Sequence, residues 1–278
     1  METTKPADDL SIDTTIVRSL LVGFLRDGIR NPGFTKGIVG LSGGVDSAVS
    51  ACLAVEALGP QNVVCIYMPY KTSNPQSKTD ADLIATTIGV PLETVDITSM
   101  VDDFPVDLAN DRLRAGNIMA RARMTTLFDL SQRDRALVIG TSNKTETLLG
   151  YGTLHGDMAC ALNPLGDLYK TQVWQLARDL GVPKQIIEKV PSADLWIGQT
   201  DESELGFAYK EVDRLLYYMI DQRRSITELV HIGFSENFVH QVRAIVKKTQ
   251  YKRRMPIVAK VSHRTVNLDF RYPRDWGI

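Results

Sequence analysis

Three cysteines, Cys52, Cys65 and Cys160, are all that this chain of 278 residues carries, and their spacing matches no metal-ligand pattern. So sparse and odd a set argues against a disulfide framework and for a reducing compartment. Cys52 and Cys65 lie in apolar runs, the setting of buried thiols. Net charge is also lacking: the formal value of −1 gives no global attraction to nucleic acid or anionic membrane. Any phosphate-binding site must therefore be local. No stretch approaches the roughly 20 apolar residues needed to span a bilayer. Met1 to Asp9 is polar and carries acids, which does not suit a signal peptide, so the expected location is the cytoplasm. Repeats and low-complexity tracts are absent too. What remains, 44% hydrophobic and 23% charged residues, is an ordinary globular composition with enough chain for one sizeable core.

Apolar residues from Ile12 to Ile29 recur at mostly helical spacing, and Asn31-Pro32-Gly33 ends that predicted helix. Gly37 to Leu41 is a short apolar run that suits a buried strand. A loop, Ser42 to Ser47, follows at once, then a helix over Ala48–Leu58. The alternation continues with a strand over Asn62–Met68, a helix over Lys78–Ile88, a strand over Thr94–Ile97, a long helix over Leu113–Leu130 and a strand over Ala136–Gly140. This order predicts an α/β fold, a parallel sheet flanked by helices, whose ligands bind at the carboxyl ends of the strands. The loops at Ser42–Ser47 and Thr141–Asn143 both leave such ends. After Lys170 the pattern turns mainly helical, with helices over Thr171–Leu180 and Tyr209–Ile220, and Pro256 and Pro273 stop any long helix in the tail. No linker is visible, so residues 1–278 are expected to form a single domain with a helical C-terminal portion.

Most of the chemistry lies in Ser42-Gly43-Gly44-Val45-Asp46-Ser47. Its glycines let the backbone approach a ligand, and the next helix points free amides and its positive dipole end at the loop. The hydroxyls of Ser42 and Ser47 can donate to phosphate oxygens. Asp46 would repel phosphate without a cation between them, which points to Mg²⁺. The loop lacks the Gly-Lys-Ser/Thr ending of the commoner nucleotide loop. Three further strings accompany it: Gly116-Asn117-Ile118-Met119-Ala120-Arg121-Ala122-Arg123-Met124, Gly140-Thr141-Ser142-Asn143-Lys144-Thr145-Glu146, and Pro191-Ser192-Ala193-Asp194-Leu195-Trp196. Taken singly, each has a plain reading: a solvated arginine pair pointing to different helix faces, a helix-start acid at Glu146, and a helix cap at Ser192. Lys170, in Asp167-Leu168-Tyr169-Lys170, reads alone as a surface lysine.

The loop resembles the pyrophosphate loop of the N-type ATP pyrophosphatases, whose members cleave ATP to AMP and pyrophosphate and form an adenylated intermediate. All the strings together, from about Gly37 to Pro256, resemble ammonia-dependent NAD synthetase. That resemblance implies an adenine nucleotide α-hydrolase-like fold and a ligase that amidates deamido-NAD to NAD with ammonia. It implies ATP binding by Ser42, Gly43, Gly44, Val45, Asp46, Ser47, Thr141, Lys170 and Ser192, with Asp46 and Lys170 catalytic. It implies Mg²⁺ on Asp46 and Glu146, deamido-NAD contact by Arg121, and a homodimer. The chain departs from the common bacterial pattern at Leu154 and Ala161, where that pattern has substrate-contacting Lys and Asp, so those two roles are not carried over. The family's His-Lys pair near the C-terminus becomes Tyr251-Lys252. His155, beside Gly156, is read as structural.

Two alternatives are weighed. One is a relative within the superfamily, the ATP-pyrophosphatase subunit of a GMP synthetase or a tRNA-modifying enzyme. The other is an RNA-binding protein with Lys247, Lys248, Lys252, Arg253 and Arg254 as a backbone-binding patch. The near-neutral charge weighs against nucleic acid as a partner.

Overall fold

The fold is taken from a computed structural model, which describes residues 9–105, 110–192, 194–196, 198–254, 256–266 and 269. Met1–Asp8, Ala193 and Pro273, on which parts of the sequence reading fall, lie outside the described residues.

Four parallel strands form one sheet in the order β3-β2-β1-β4: β1 (Lys36–Gly40), β2 (Val63–Tyr67), β3 (Leu92–Thr94) and β4 (Ala136–Ile139). Helix α1 (Thr14–Arg30) precedes β1, α2 (Val45–Leu58) joins β1 to β2, α3 (Pro75–Ile88) leads to β3, and α4 (Thr98–Asp102) and α5 (Arg112–Asp134) lead to β4. Then come α6 (Lys144–Leu149), α7 (Lys170–Asp179), α8 (Lys184–Ile187), α9 (Asp201–Leu205), α10 (Tyr209–Leu216), α11 (Ile226–Ile232) and α12 (Glu236–Lys248). The expected α/β layering and helical C-terminal portion are both present.

The boundaries have local causes. Helix α3 begins earlier than the apolar pattern suggested, because Asn74 accepts from the Gln76 amide and Pro75 fits the first turn. Strand β3 is shorter and earlier than the expected Thr94–Ile97. Two more bonds carry that pairing on, from the Val95 amide to Tyr67 O and from the Ile97 amide to Pro69 O. The predicted helix from Tyr209 to Ile220 is α10 followed by a wider π-type turn over Tyr217–Asp221. Helices α11 and α12 were not anticipated; serine caps at Ser225 and Ser235 start them.

Apolar side chains divide among the layers. Helices α1, α2, α3 and α7 share one cluster with one face of the sheet, and α4 and α5 cover the other face around Ile38, Ile66 and Val138. A third cluster joins Leu149 and Tyr169 to α10, α11 and α12. Each fully buried Leu or Ile here stabilises the fold by about 1.5–3 kcal/mol. Helix α7 therefore sits between the sheet layer and the C-terminal helices. Among the described residues no helix is long and apolar enough to cross a membrane.

Candidate active site

The loop from Ser42 to Ser47 leaves the carboxyl end of β1 and opens α2, as the sequence suggested. It is shaped by its own hydroxyls. Ser47 Oγ donates to Gly44 O at 2.9 Å and accepts from the Ser42 amide at 3.2 Å, and Ser42 Oγ lies 3.1 Å from Ser47 Oγ. Gly43 turns the chain with φ +81°, and a Cβ there would stand 2.5 Å from Ser77 O on α3. Only glycine fits both the left-handed angle and that close approach. The N-cap of α2 is Gly44, which has no side chain to occupy the first amides, so the positive end of α2 faces the space above the sheet.

Lys170, the first residue of α7, points into the same place, and its side chain is only 3% exposed. Its ammonium donates to Asp46 Oδ2 and lies 3.7 Å from Glu146 Oε1. The plain reading of Lys170 as a surface lysine is thus wrong. Burial alone would lower its pKa, but Asp46 and Glu146 outweigh that and raise it, so it stays charged. Glu146 is the expected helix-start acid, with a second contact beside it. It closes a capping box at the start of α6 with Asn143, and it faces the lysine. Burial first, and then the charge of Asp46, push its carboxyl up to about 8. Asn143 joins the parts, donating from Nδ2 to Asp46 Oδ1 at 3.0 Å while its own Oδ1 accepts the Glu146 amide.

Ser42, Asp46, Ser47, Arg121, Thr141, Glu146, Lys170 and Ser192 all line one cleft of ≈ 1660 Å³. Ser192 does not cap a helix. It accepts the Asp194 amide at 3.1 Å in a non-helical segment, and Asp194, at φ +50°, reaches across to the start of α3, accepting from the Asn74 amide and from Ser77 Oγ. The two arginines of α5 do point apart. Arg121 is exposed and donates to Leu154 O at 3.2 Å, whereas Arg123 turns inward and donates from Nε to Met68 O at 2.9 Å. At the two departures the backbone is in use: Leu154 O receives Arg121, and the Ala161 amide pairs with Val138 O beside β4. His155 is exposed, in a left-handed turn at φ +57°.

Residues without a local signal complete the site. Asp201, 4% exposed, is a third acid near Lys170, held by the hydroxyls of Tyr209 and Tyr151 at 3.0 Å each. Lys189 bonds Asp80 at 2.7 Å and reaches toward Gly43 O, bracing the loop from outside. Nothing in a single sequence pairs positions this far apart. The proposed RNA patch dissolves in part. Lys252 Nζ donates to Gly150 O and Gly152 O at 2.8 and 2.7 Å, and Arg253 to the carbonyls of Leu148 and Val246 at 2.7 and 2.6 Å. These two cations cap helix ends and tie down a turn. Cys65 is buried as expected and Cys52 only half-buried; burial pushes Cys52 up to about 11 and Cys65 to about 12, and raises Cys160, which packs beside Gly140.

A parallel sheet with a serine- and glycine-rich loop at the carboxyl end of its first strand, facing a buried lysine, defines a nucleotide-handling enzyme of the adenine nucleotide α-hydrolase fold. The chain belongs to the NAD synthase family, whose model matches residues 17–256, and is thereby a ligase that forms a C–N bond. It is 59% identical over 96% of its length to the NH(3)-dependent NAD(+) synthetase of Trichlorobacter lovleyi, of which it covers 98%. Among solved structures it is similar to the NMN synthetase of Francisella tularensis, at 31% identity and a TM-score of 0.79, over 90% of this chain and 99% of that one. It also resembles the NH3-dependent NAD synthetase of Campylobacter jejuni in complex with the nitrate ion, at 29% identity and a TM-score of 0.75, over 90% and 100% of the two chains. The GMP synthetase and tRNA-modifying alternatives gain no support from these matches.

Proposed function

We propose that this enzyme amidates deamido-NAD to NAD with ammonia, using ATP as co-substrate and releasing AMP and pyrophosphate. The observation that carries the reading is the convergence of Lys170 and Glu146 on Asp46 of the Ser42–Ser47 loop, at the carboxyl edge of the sheet. The loop amides and the hydroxyls of Ser42 and Ser47 bind the triphosphate, with Thr141 and Ser192 on the cleft walls as further ATP contacts. Arg121 holds the dinucleotide. An oxygen of the nicotinate carboxylate attacks the α-phosphorus of ATP and pyrophosphate leaves, giving the acyl-adenylate. Lys170 stabilises the charge that develops on the phosphoryl oxygens. Ammonia then attacks the carbonyl carbon, AMP departs with the former carboxylate oxygen, and the adduct loses a proton to water. No protein nucleophile is needed, and positioning with fixed charge carries the rate.

The acids fit Mg²⁺. Asp46 and Glu146 converge on one buried lysine with Asp201 close by, and Mg²⁺ is suited by one or two carboxylates plus substrate phosphates. Asp46 and Glu146 would hold it, and when bound it would neutralise charge on the triphosphate. We read residues 1–278 as a single domain, the protein as cytoplasmic, and the assembly as a homodimer. Leu113 and Phe128, exposed on α5, suit a subunit interface.

The test is product analysis by mass spectrometry after incubation with ATP, Mg²⁺, ammonium and one acceptor: deamido-NAD, its mononucleotide counterpart, or XMP. Deamido-NAD is expected to give NAD, AMP and pyrophosphate, with carboxylate ¹⁸O recovered in AMP, and XMP to give nothing. ADP and phosphate as products would replace the adenylate by an acyl phosphate and overturn the reading.

A further inference from the structure

Lys170 opens α7, so its own amide and that of Thr171 have no partner within the helix. The N-cap residue Tyr169 does not fill the gap with its side chain, whose hydroxyl goes to Asp221 at 2.8 Å. Both amides are met from other helices instead. Lys170 N donates to Thr145 Oγ1 at 3.0 Å, and Thr171 N donates to Asp213 Oδ2 at 2.8 Å. Thr145 Oγ1 then passes its own proton into a bond with Asp213 Oδ1 at 2.5 Å. Thr145 and Asp213 are both completely buried. One carboxylate on α10 thus ties the first turn of α7 to α6, at the residue next to Glu146. The same helix reaches the other end of the lysine. Tyr209 lies one turn before Asp213 on the same face of α10, and its ring centre is 5.3 Å from Lys170 Nζ.

A buried carboxylate is costly unless its lone pairs are used, and this one spends both oxygens on the start of α7 and on α6. We infer that Asp213, acting through Thr145, is a positioning residue for Lys170: it sets the start of α7 against α6 and so holds the ammonium between Asp46 and Glu146. The inference rests on the reading of Lys170 as the cation that stabilises adenylation. A lysine whose backbone drifts by about an ångström delivers its charge to the wrong place, and misplacement on that scale costs up to ~100-fold in rate.

The test measures kcat and each KM for Asp213→Asn, Thr145→Val, Thr145→Ser and Lys170→Met, with the folded fraction taken from thermal unfolding. Asn at 213 still accepts from the Thr145 hydroxyl but sets an N–H against the Thr171 amide. Val at 145 removes the hydroxyl at nearly constant shape, and Ser restores it. Expected are losses of ~10- to 100-fold in kcat of the folded enzyme for Asp213→Asn and Thr145→Val, with every KM within about twofold of the parent. Thr145→Ser is expected to keep kcat within about threefold, and Asp213→Asn to add nothing in a Lys170→Met background. A lowered unfolding temperature with unchanged kcat in the folded fraction, or full additivity with Lys170→Met, overturns the inference. Near-parental kcat in Lys170→Met overturns instead the catalytic reading of Lys170. If Asp213→Asn fails to fold, the Thr145 pair decides alone.

Discussion

Within the Ser42–Ser47 loop, side-chain hydrogen bonds join Ser42, Gly44 and Ser47 over two to five positions, and Lys189 and Asn143 add long-range braces at Gly43 and Asp46. Lys170, whose ammonium meets that loop at Asp46, is held by partners 124 positions away there and 25 away at Thr145, while the next residue reaches 42 positions to Asp213. The two halves of one site are therefore built on different scales. The first is nearly self-contained, a turn that a short peptide pattern can encode. The second exists only when four helices have met. Catalytic groups that must sit within tenths of an ångström of one another need not share a mode of support.

The sharpest way to break this comparison is to remove the residue common to both halves. Asp46→Ala is expected to cut turnover at least roughly a hundredfold, the scale of losing one well-placed electrostatic group. Steady-state NAD formation checks it, and near-normal turnover would show that the halves do not meet at Asp46. Next is Arg121→Ala, in the same cleft but on α5, outside both halves. Loss of a charge-assisted contact of about 1.5–3 kcal/mol should weaken deamido-NAD far more than ATP, by ~10- to 150-fold. Titration calorimetry with each nucleotide decides, and equal losses would place Arg121 with the triphosphate. A local change should damage the local half alone. Gly43→Ala puts a side chain at φ +81° against Ser77 O, and the strain is expected to raise the ATP KM about tenfold while leaving deamido-NAD affinity unchanged.

The smallest effect is expected at the thiols. With Cys52 and Cys65 pushed up to about 11 and 12 by burial, and Cys160 also raised, none carries much thiolate at neutral pH. Cys160→Ala should keep ammonium-dependent turnover within about twofold, and glutamine should not substitute for ammonium in either protein, since glutamine hydrolysis needs an activated nucleophile. Efficient glutamine use that vanishes in Cys160→Ala would reverse the reading of the cysteines.

The same difference of scale explains what could be read from the sequence. The sheet and the loop were legible because apolar runs of strand length alternate with helical periodicity, and glycines and serines punctuate them. Glu146 and Ser192 took their ligand roles from a family resemblance, and so did Lys170, whose own surroundings in the chain suggested a surface lysine although it is buried beside Asp46. Asn143, Asp201, Asp213 and Tyr209 were given no role, because nothing in the chain pairs them with the site until α6, α7 and α10 pack together. The basic tail misled for the opposite reason. Lys252 and Arg253 look like a patch in the chain, yet their donors are taken by carbonyls of Gly150, Gly152, Leu148 and Val246.

The reliance of α7 on α10 also bears on the order of assembly during synthesis. The ribosome delivers Ser42–Ser47, α6 and α7 well before residue 213, and contacts of such long sequence separation close late. Until α10 docks, the Thr171 amide has water for a partner, and Thr145, which meets the Lys170 amide, is not yet fixed by Asp213. A nascent chain can thus complete its nucleotide cradle while the cation opposite is still unset, so competence for adenylation is switched on only when the C-terminal helices have been made.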